Sequence, residues 1–305
     1  MSTPSTATAG SRRLWFIFLI LLSGGSWSLV FSLGKIAGEG PHHALGLAFW
    51  QGVGGGLMLL TYAALRQKRL PLDRRSLGFY LICGIFGTAL PTTLIFEIAP
   101  EVGAGTLAIT MALVPLITYG AAIVLGIDRG AALRITGLSL GFIAVLLLML
   151  PSALEESMVG LLWLLFALAI PASYSTENLL LALRGPKGID AIALVGAFQI
   201  AGAALLLPIT LATGTFTWMD GPWGDPEWAA LVMLLINAPS YTLFLYVLQR
   251  TGPVFASQTT YVVTVLGVVW GMVLFGEAHS AWFWGALVAM MAGIALVQER
   301  KVERD

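Results

Sequence analysis

The chain is 305 residues long, 58% apolar and only 10% charged, with a formal net charge of zero and a mean hydropathy of +0.88. A soluble domain carries about 25% charged residues, so this composition excludes a water-covered globular domain, and the even balance points to neither nucleic acid nor an acidic partner. Cys83 is the only cysteine, which excludes an intrachain disulfide and a thiolate metal cluster.

A bilayer core takes about 20 apolar residues in helical conformation. In chain order such runs cover 14–36, 44–65, 77–98, 103–125, 132–150, 158–183, 190–212, 227–248, 253–275 and 280–297. The prediction is an all-α membrane protein of ten transmembrane helices, numbered here spans 1 to 10. Short tails, 1–13 and 298–305, flank two halves, 14–150 and 151–297. Turn residues punctuate the connections, as at Gly38 to Pro41, Pro71, Gly185-Pro186, Pro222 to Pro226 and Gly252-Pro253.

Span 1 imitates a secretory signal peptide, with Arg12-Arg13 before an apolar core and small residues at Ser23 to Ser26. The apolar pattern runs on to Leu33 and has a partner in the second half, so we read a helix. Orientation follows from Lys and Arg. With the N-terminus inside, inner segments hold Arg12, Arg13, Arg66, Lys68, Arg69, Arg74, Arg75, Arg129, Arg134, Arg184, Lys187, Arg250, Arg300, Lys301 and Arg304, and outer segments hold Lys35 alone. That asymmetry places both termini in the cytoplasm.

A shift of 148 or 149 residues superposes the two halves span by span. Leu14, Trp15 and Phe18 meet Leu162, Trp163 and Phe166. Ala89, Thr93 and Leu94 meet Ala238, Thr242 and Leu243, and Gly103, Thr110 and Val114 meet Gly252, Thr259 and Val263. A unit with five spans ends on the side opposite its start, so the second copy enters inverted. Inverted repeats are the usual architecture of secondary transporters.

Pro115-Leu116 in span 4, Gly276-Glu277 after span 9, and glycines in spans 5 and 10 (Gly137, Gly141, Gly285, Gly293) carry a resemblance. The chain resembles the drug/metabolite transporter superfamily, specifically its ten-span EamA-type permeases. It departs from the pattern at Thr264, where the second proline would stand, and at Gly126-Ile127, which lacks the first glutamate. The resemblance implies export of small metabolites, amino acids prominent among them.

Inside lipid an unpaired polar group is costly, so clusters of them mark candidate pathways. They fall at matching places in both halves. Span 1 has Ser23, Ser26, Trp27 and Ser28; span 6 has Pro171 and Ser173 to Asn178. Span 3 has Thr88 and Pro91 to Thr93; span 8 has Asn237 and Pro239 to Thr242. Span 4 has Thr110, Thr118 and Tyr119; span 9 has Ser257 to Tyr261. Spans 2 and 7 add Trp50, Gln51 and Gln199. Each Ser or Thr alone reads as helix glue; the recurrence points to a central cavity among spans 1, 3, 4, 6, 8 and 9. Candidate substrate contacts are Ser26, Trp27, Trp50, Gln51, Thr92, Tyr119, Tyr174, Glu177, Gln199, Asn237, Tyr241, Gln258 and Tyr261.

Glu177 has two readings, a proton-linked gate or substrate contact, or an ion pair with Arg184 two turns on. Lys35 and Glu97 read as interface charges or a mutual pair, and His42-His43 as a helix entry. Gly52 and Gly56 read as packing. Spans 5 and 10, aliphatic with small residues four apart, read as scaffold packing or as the seam of a homodimer. Trp218, Trp223, Trp228, Trp282 and Trp284 read as an outer aromatic belt.

These features favour a secondary transporter exporting small neutral or zwitterionic metabolites, amino acids with apolar or aromatic side chains foremost, by alternating access in a bacterial inner membrane. Its partners would be the small-molecule substrate and membrane lipid, with no cofactor or metal. No span centre carries Lys or Arg, which disfavours phosphorylated substrates. A drug exporter of the same fold, or a channel or structural membrane protein, is the alternative. His-Glu-x-x-His, Gly-x-Ser-x-Gly and phosphate-loop motifs are absent from the sequence, which disfavours an enzyme or a direct ATP-driven pump.

Overall fold

The computed structural model describes residues 6–126, 131–154, 158–186, 188–251 and 258–298. Among the described residues every regular element is a helix. Nine are long and apolar enough to cross a membrane, and a tenth apolar helix covers Ala281–Val297. Span 1 is a single helix, Thr6–Gly38; spans 2, 5, 7, 8, 9 and 10 are Ala44–Leu65, Ala132–Leu154, Ala191–Thr213, Asp225–Thr251, Gln258–Phe275 and Ala281–Gln298. The predicted start of span 9, 253–257, lies outside the described residues.

Spans 3, 4 and 6 are interrupted, and a proline explains each break. A proline ring crowds the carbonyl four residues earlier and offers no N–H. In span 3, Arg74–Gly84 gives way to a π-helical turn, Ile85–Ala89, before Leu90–Val102. Leu90 N donates to Ile85 O instead of Phe86 O. With Pro91 next in line, the Phe86 carbonyl is left open, and Ser173 Oγ of span 6 donates to it at 2.9 Å. In span 4, Pro115 splits Ala104–Thr110 from Leu113–Val124; in span 6, Pro171 splits Met158–Ala167 from Ala169–Arg184. Ser175 Oγ of span 6 donates to Val114 O of span 4 at 3.0 Å. The broken helices are thus stitched to one another where they break.

Packing is close where glycines remove side chains. A Cβ on Gly137 would sit 2.7 Å from Gly293 O, and one on Gly293 would sit 2.8 Å from Gly137 O, so spans 5 and 10 meet backbone to backbone. Gly52 and Gly56 do the same for span 2 against Gln199 to Ala203 of span 7. These small residues are therefore used within the chain. A contact with a second protomer through spans 5 and 10 would have to use their outward faces, where Phe142 and Val288 are exposed. Span 5 is peripheral: 17% of its apolar window is buried, against 50% in spans 1, 3 and 7.

Several of the remaining contacts come in matched pairs. Span 1 packs on spans 8 and 9, and span 6 on spans 3 and 4; span 7 packs on span 3, and span 2 on span 8. The five tryptophans Trp218, Trp223, Trp228, Trp282 and Trp284 are all exposed.

Candidate functional site

The broken helices enclose a cavity of about 140 Å³ lined from spans 1, 3, 4, 6, 8 and 9. One water needs roughly 10–15 Å³ on this measure, so the space suits a small metabolite. Part of the lining is aromatic and apolar: Phe31, Met111 and Phe244 beside Trp27 and Tyr241. The rest is polar, with Tyr174, Glu177, Asn178, Asn237, Thr259 and Thr260. No Lys, Arg or His is among the lining residues.

Trp27 Nε1 donates to Asn237 Oδ1 at 2.7 Å, which ties span 1 to span 8. The Asn237 oxygen is thereby occupied, and its amide N–H groups remain to present to a ligand. The Trp27 ring meets Tyr241 edge-on, with centroids 5.4 Å apart. Tyr241 OH in turn donates to Glu177 Oε1 at 3.4 Å. Glu177 is 2% exposed and rests on the π-helical turn of span 3, where Gly87 leaves it room: a Cβ there would lie 2.4 Å from the carboxyl carbon. Among the described residues Tyr241 is its one side-chain hydrogen-bond partner. The Arg184 pair allowed by the sequence is not formed, because Arg184 is exposed and lines a different cavity. Thr259 Oγ1, also in the polar part of the lining, is buried without a hydrogen-bond partner among the described residues. The arrangement offers a carboxylate and aromatic faces to a cation, and an amide and hydroxyls to an uncharged or anionic group.

Five of the predicted contacts thus share one cavity: Trp27, Tyr174, Glu177, Asn237 and Tyr241. The other eight lie outside it. Gln51 Nε2 donates to Ala230 O at 2.6 Å and joins span 2 to span 8. Gln199 fills the notch over Gly55. Trp50 Nε1 donates to Thr217 O at 2.8 Å and anchors the segment after span 7. Tyr119 faces Arg134, 5.2 Å from its ring, and Tyr261 packs with spans 5, 6 and 10. Ser26 and Thr92 turn away from the cavity, and Gln258 is exposed. Chemical type selected these residues; the face of the helix decides the matter. Positions 27, 30 and 31, 174, 177 and 178, and 237, 241 and 244 follow the three-to-four spacing of one helical face. That spacing from Trp27 and Tyr241 points to Phe31 and Phe244, which sequence reasoning missed. Gly87 was missed because it carries no side chain.

At one end of the helices, Glu277 closes the end of span 9 onto the start of span 4. Its carboxylate accepts from Ala104 N at 2.8 Å and Gly105 N at 3.0 Å. Gly103, Gly105 and Gly271 surround it so closely that a Cβ on any of them would lie within 2.8 Å of a carboxylate oxygen. Gly103 has φ +85°, which only glycine adopts without strain. His279 lies 3.6 Å from Glu277 and stacks on Phe283; burial holds its imidazole below the ordinary value against the pull of Glu277. Lys35 pairs with Glu39 and donates to Pro100 O, while Glu97 is exposed, so the Lys35–Glu97 pair is not formed. His43 caps span 2 by accepting from Leu45 N, and His42 contacts Glu227.

The sequence matches the EamA-like transporter family over residues 14–150 and again over 158–298. The chain belongs to the EamA-like transporter family. It is therefore a multi-pass membrane transporter of the drug/metabolite type, built from two EamA repeats, and its family is not an enzyme family. A solved crystal structure shares the fold with a TM-score of 0.61 at 18% identity, covering 93% of this chain and 97% of its own. No curated protein matches the chain.

Proposed function

We propose that this EamA protein is a secondary transporter that exports small zwitterionic metabolites, most directly amino acids with apolar or aromatic side chains, across a bacterial inner membrane. The observation that carries the reading is Glu177, a buried carboxylate without a cationic partner among the described residues, on the wall of a partly aromatic cavity. Burying an unpaired carboxylate is costly; the ammonium of a substrate, or a proton, would offset that cost. The free amide of Asn237 and the hydroxyl of Thr259 suit a substrate carboxylate, and Phe31, Met111 and Phe244 suit an apolar side chain. Phosphorylated cargo is disfavoured by the lack of any cation in the lining.

The two halves act as inverted repeats with both termini cytoplasmic. The charge asymmetry of the connections supports the orientation. The odd number of spans in each half supports the inversion, and the packing supports a two-fold relation between the halves, since span 1 on spans 8 and 9 corresponds to span 6 on spans 3 and 4. Transport then proceeds by rocking of the halves about the cavity. The outer ends are tied through Glu277, Lys35 and Trp50, whereas on the inner side Lys68 and Asp190 stand 3.6 Å apart and partly exposed. We read this conformation as closed to the outside. A homodimer through the outward faces of spans 5 and 10 is compatible with this cycle.

The test is counterflow in proteoliposomes. Vesicles loaded with one neutral amino acid and diluted into labelled leucine, phenylalanine, serine, succinate or a sugar phosphate should accumulate the apolar amino acids transiently and saturably. Accumulation of succinate or the sugar phosphate with none of the amino acids would sink the proposal; linear flux without saturation would favour a channel.

A further inference from the structure

The start of span 3 and the end of span 6 meet at one edge of the protein, and a cavity of about 810 Å³ lies between them. Its basic lining comes from both elements: Arg74 and Arg75 from span 3 and Arg184 from span 6. All three are exposed, and none forms an ion pair among the described residues. Ile82 and Leu183, also exposed, form the apolar side of the same cavity, with Phe79 behind them.

The local electrostatics are unfavourable as they stand. Arg74 and Arg75 occupy the first turn of the helix Arg74–Gly84, which has no acidic residue in that turn. Cations there face the positive end of the helix dipole. One acidic group lies near, Asp73, and it is already engaged: its two carboxylate oxygens accept from Ser76 N at 3.1 Å and Ser76 Oγ at 2.7 Å. The hydroxyl bond from Ser76 and the backbone bond from the same residue hold its carboxyl below the ordinary range, so it stays ionised. Three guanidinium groups against one carboxylate leave two positive charges, and the helix end adds to them. An anion in the cavity would relieve the repulsion and could accept the forked donors that arginine offers to phosphate.

We propose that this cavity is a binding site for the headgroup phosphate of an anionic phospholipid, with an acyl chain running along Ile82 and Leu183. The apolar side favours lipid over a free phosphate. Both elements end at a membrane surface, so the basic part lies at headgroup depth and the exposed aliphatic part faces the hydrocarbon. The site is separate from the central cavity, shares no residue with it, and does not depend on what is transported. Because it joins span 3, whose break seats Glu177, to span 6, which carries it, a lipid there also bridges the frame of the transport cavity.

Native mass spectrometry of the full chain, titrated with phosphatidylglycerol or phosphatidylcholine, tests the assignment. The wild type should retain phosphatidylglycerol over phosphatidylcholine. R74Q/R75Q/R184Q should lose on the order of a hundredfold in phosphatidylglycerol affinity, about fivefold per charge near a membrane surface. R74K/R75K/R184K should keep most of it, which separates loss of charge from loss of fold. R66Q/K68Q/R250Q removes three basic residues from the same side outside this cavity and should leave affinity within a few fold. An equal loss in that control would show diffuse surface charge and overturn the site. Displacement of the lipid by millimolar inorganic phosphate or glycerol phosphate would assign the cavity to a soluble anion and overturn the lipid reading.

Discussion

Gly87→Ala is the sharpest perturbation the structure offers. A Cβ at this position would stand 2.4 Å from Glu177 Cδ and 2.6 and 2.7 Å from its two oxygens, whereas ordinary contact begins at 3.4 Å. The carboxyl group must therefore retreat by about 1 Å, the difference between 3.4 and 2.4 Å. The atoms that must move are the end of a flexible side chain, so the fold is spared, and replacing glycine by alanine in a helix is itself favourable by about 0.5–1 kcal/mol. The Tyr241 bond, already 3.4 Å long, would not survive the shift. The same retreat would take the carboxyl group out of reach of a substrate ammonium, and a lost charge-assisted contact of that kind is worth about 1.5–3 kcal/mol, roughly ten- to hundredfold in substrate affinity. Gly78→Ala in the same span is the control, since nothing lies within 4 Å of its Cβ. Counterflow should thus fall at least tenfold in Gly87→Ala at unchanged expression, remain at wild-type level in Gly78→Ala, and return in part in Gly87→Ala with Glu177→Asp, where the acid is one methylene shorter. Full activity in Gly87→Ala would refute the placement of Glu177 as a contact.

Glu277→Gln leaves one amide oxygen to serve Ala104 N and Gly105 N, and replaces charge-assisted bonds by neutral ones worth about half as much. It should lower the melting temperature and raise the reactivity of a cysteine at position 104 toward an impermeant outside reagent; unaltered labelling would argue against an outer tie. Ser173→Ala leaves the Phe86 carbonyl without a donor and should cost about 1–3 kcal/mol in unfolding experiments, against a few tenths for Thr176→Ala, whose bond is to its own helix. Cysteines at 66–75 should react only from the cytoplasm and cysteines at 219–226 only from outside; the reverse pattern would overturn the orientation.

The spans were legible because hydrophobic length is the quantity a bilayer reads, and the composition leaves little else to build. The breaks were legible in part. Pro91, Pro115 and Pro171 announce that carbonyls are freed at mid-depth, but which side chains claim them depends on neighbours remote in sequence, as with Ser173 on Phe86. The cavity was located in the right spans, yet chosen residue by residue for polarity. Ser26 beside Trp27 and Tyr261 beside Thr260 differ from their neighbours by about 100° around the helix, and that rotation decides which one faces the cavity. Gln51 and Gln199 look like ligands in sequence and sit between spans in the structure: Gln51 takes the Ala230 carbonyl of span 8, and Gln199 fills the notch over Gly55. The glycines at 87, 103, 105 and 271 make room for Glu177 and Glu277, and their purpose appears only when the facing helix is in place.

The central claim is that Glu177 receives the ammonium group of a zwitterionic cargo. The direct measurement is competition in counterflow between an apolar amino acid and the hydroxy acid of the same carbon skeleton, which lacks only the ammonium, in wild type and in Glu177→Gln. The account predicts that the wild type prefers the amino acid by tenfold or more and that Glu177→Gln brings the two within about twofold of each other. A wild type indifferent to the ammonium, or a Glu177→Gln variant that keeps its preference, would contradict it.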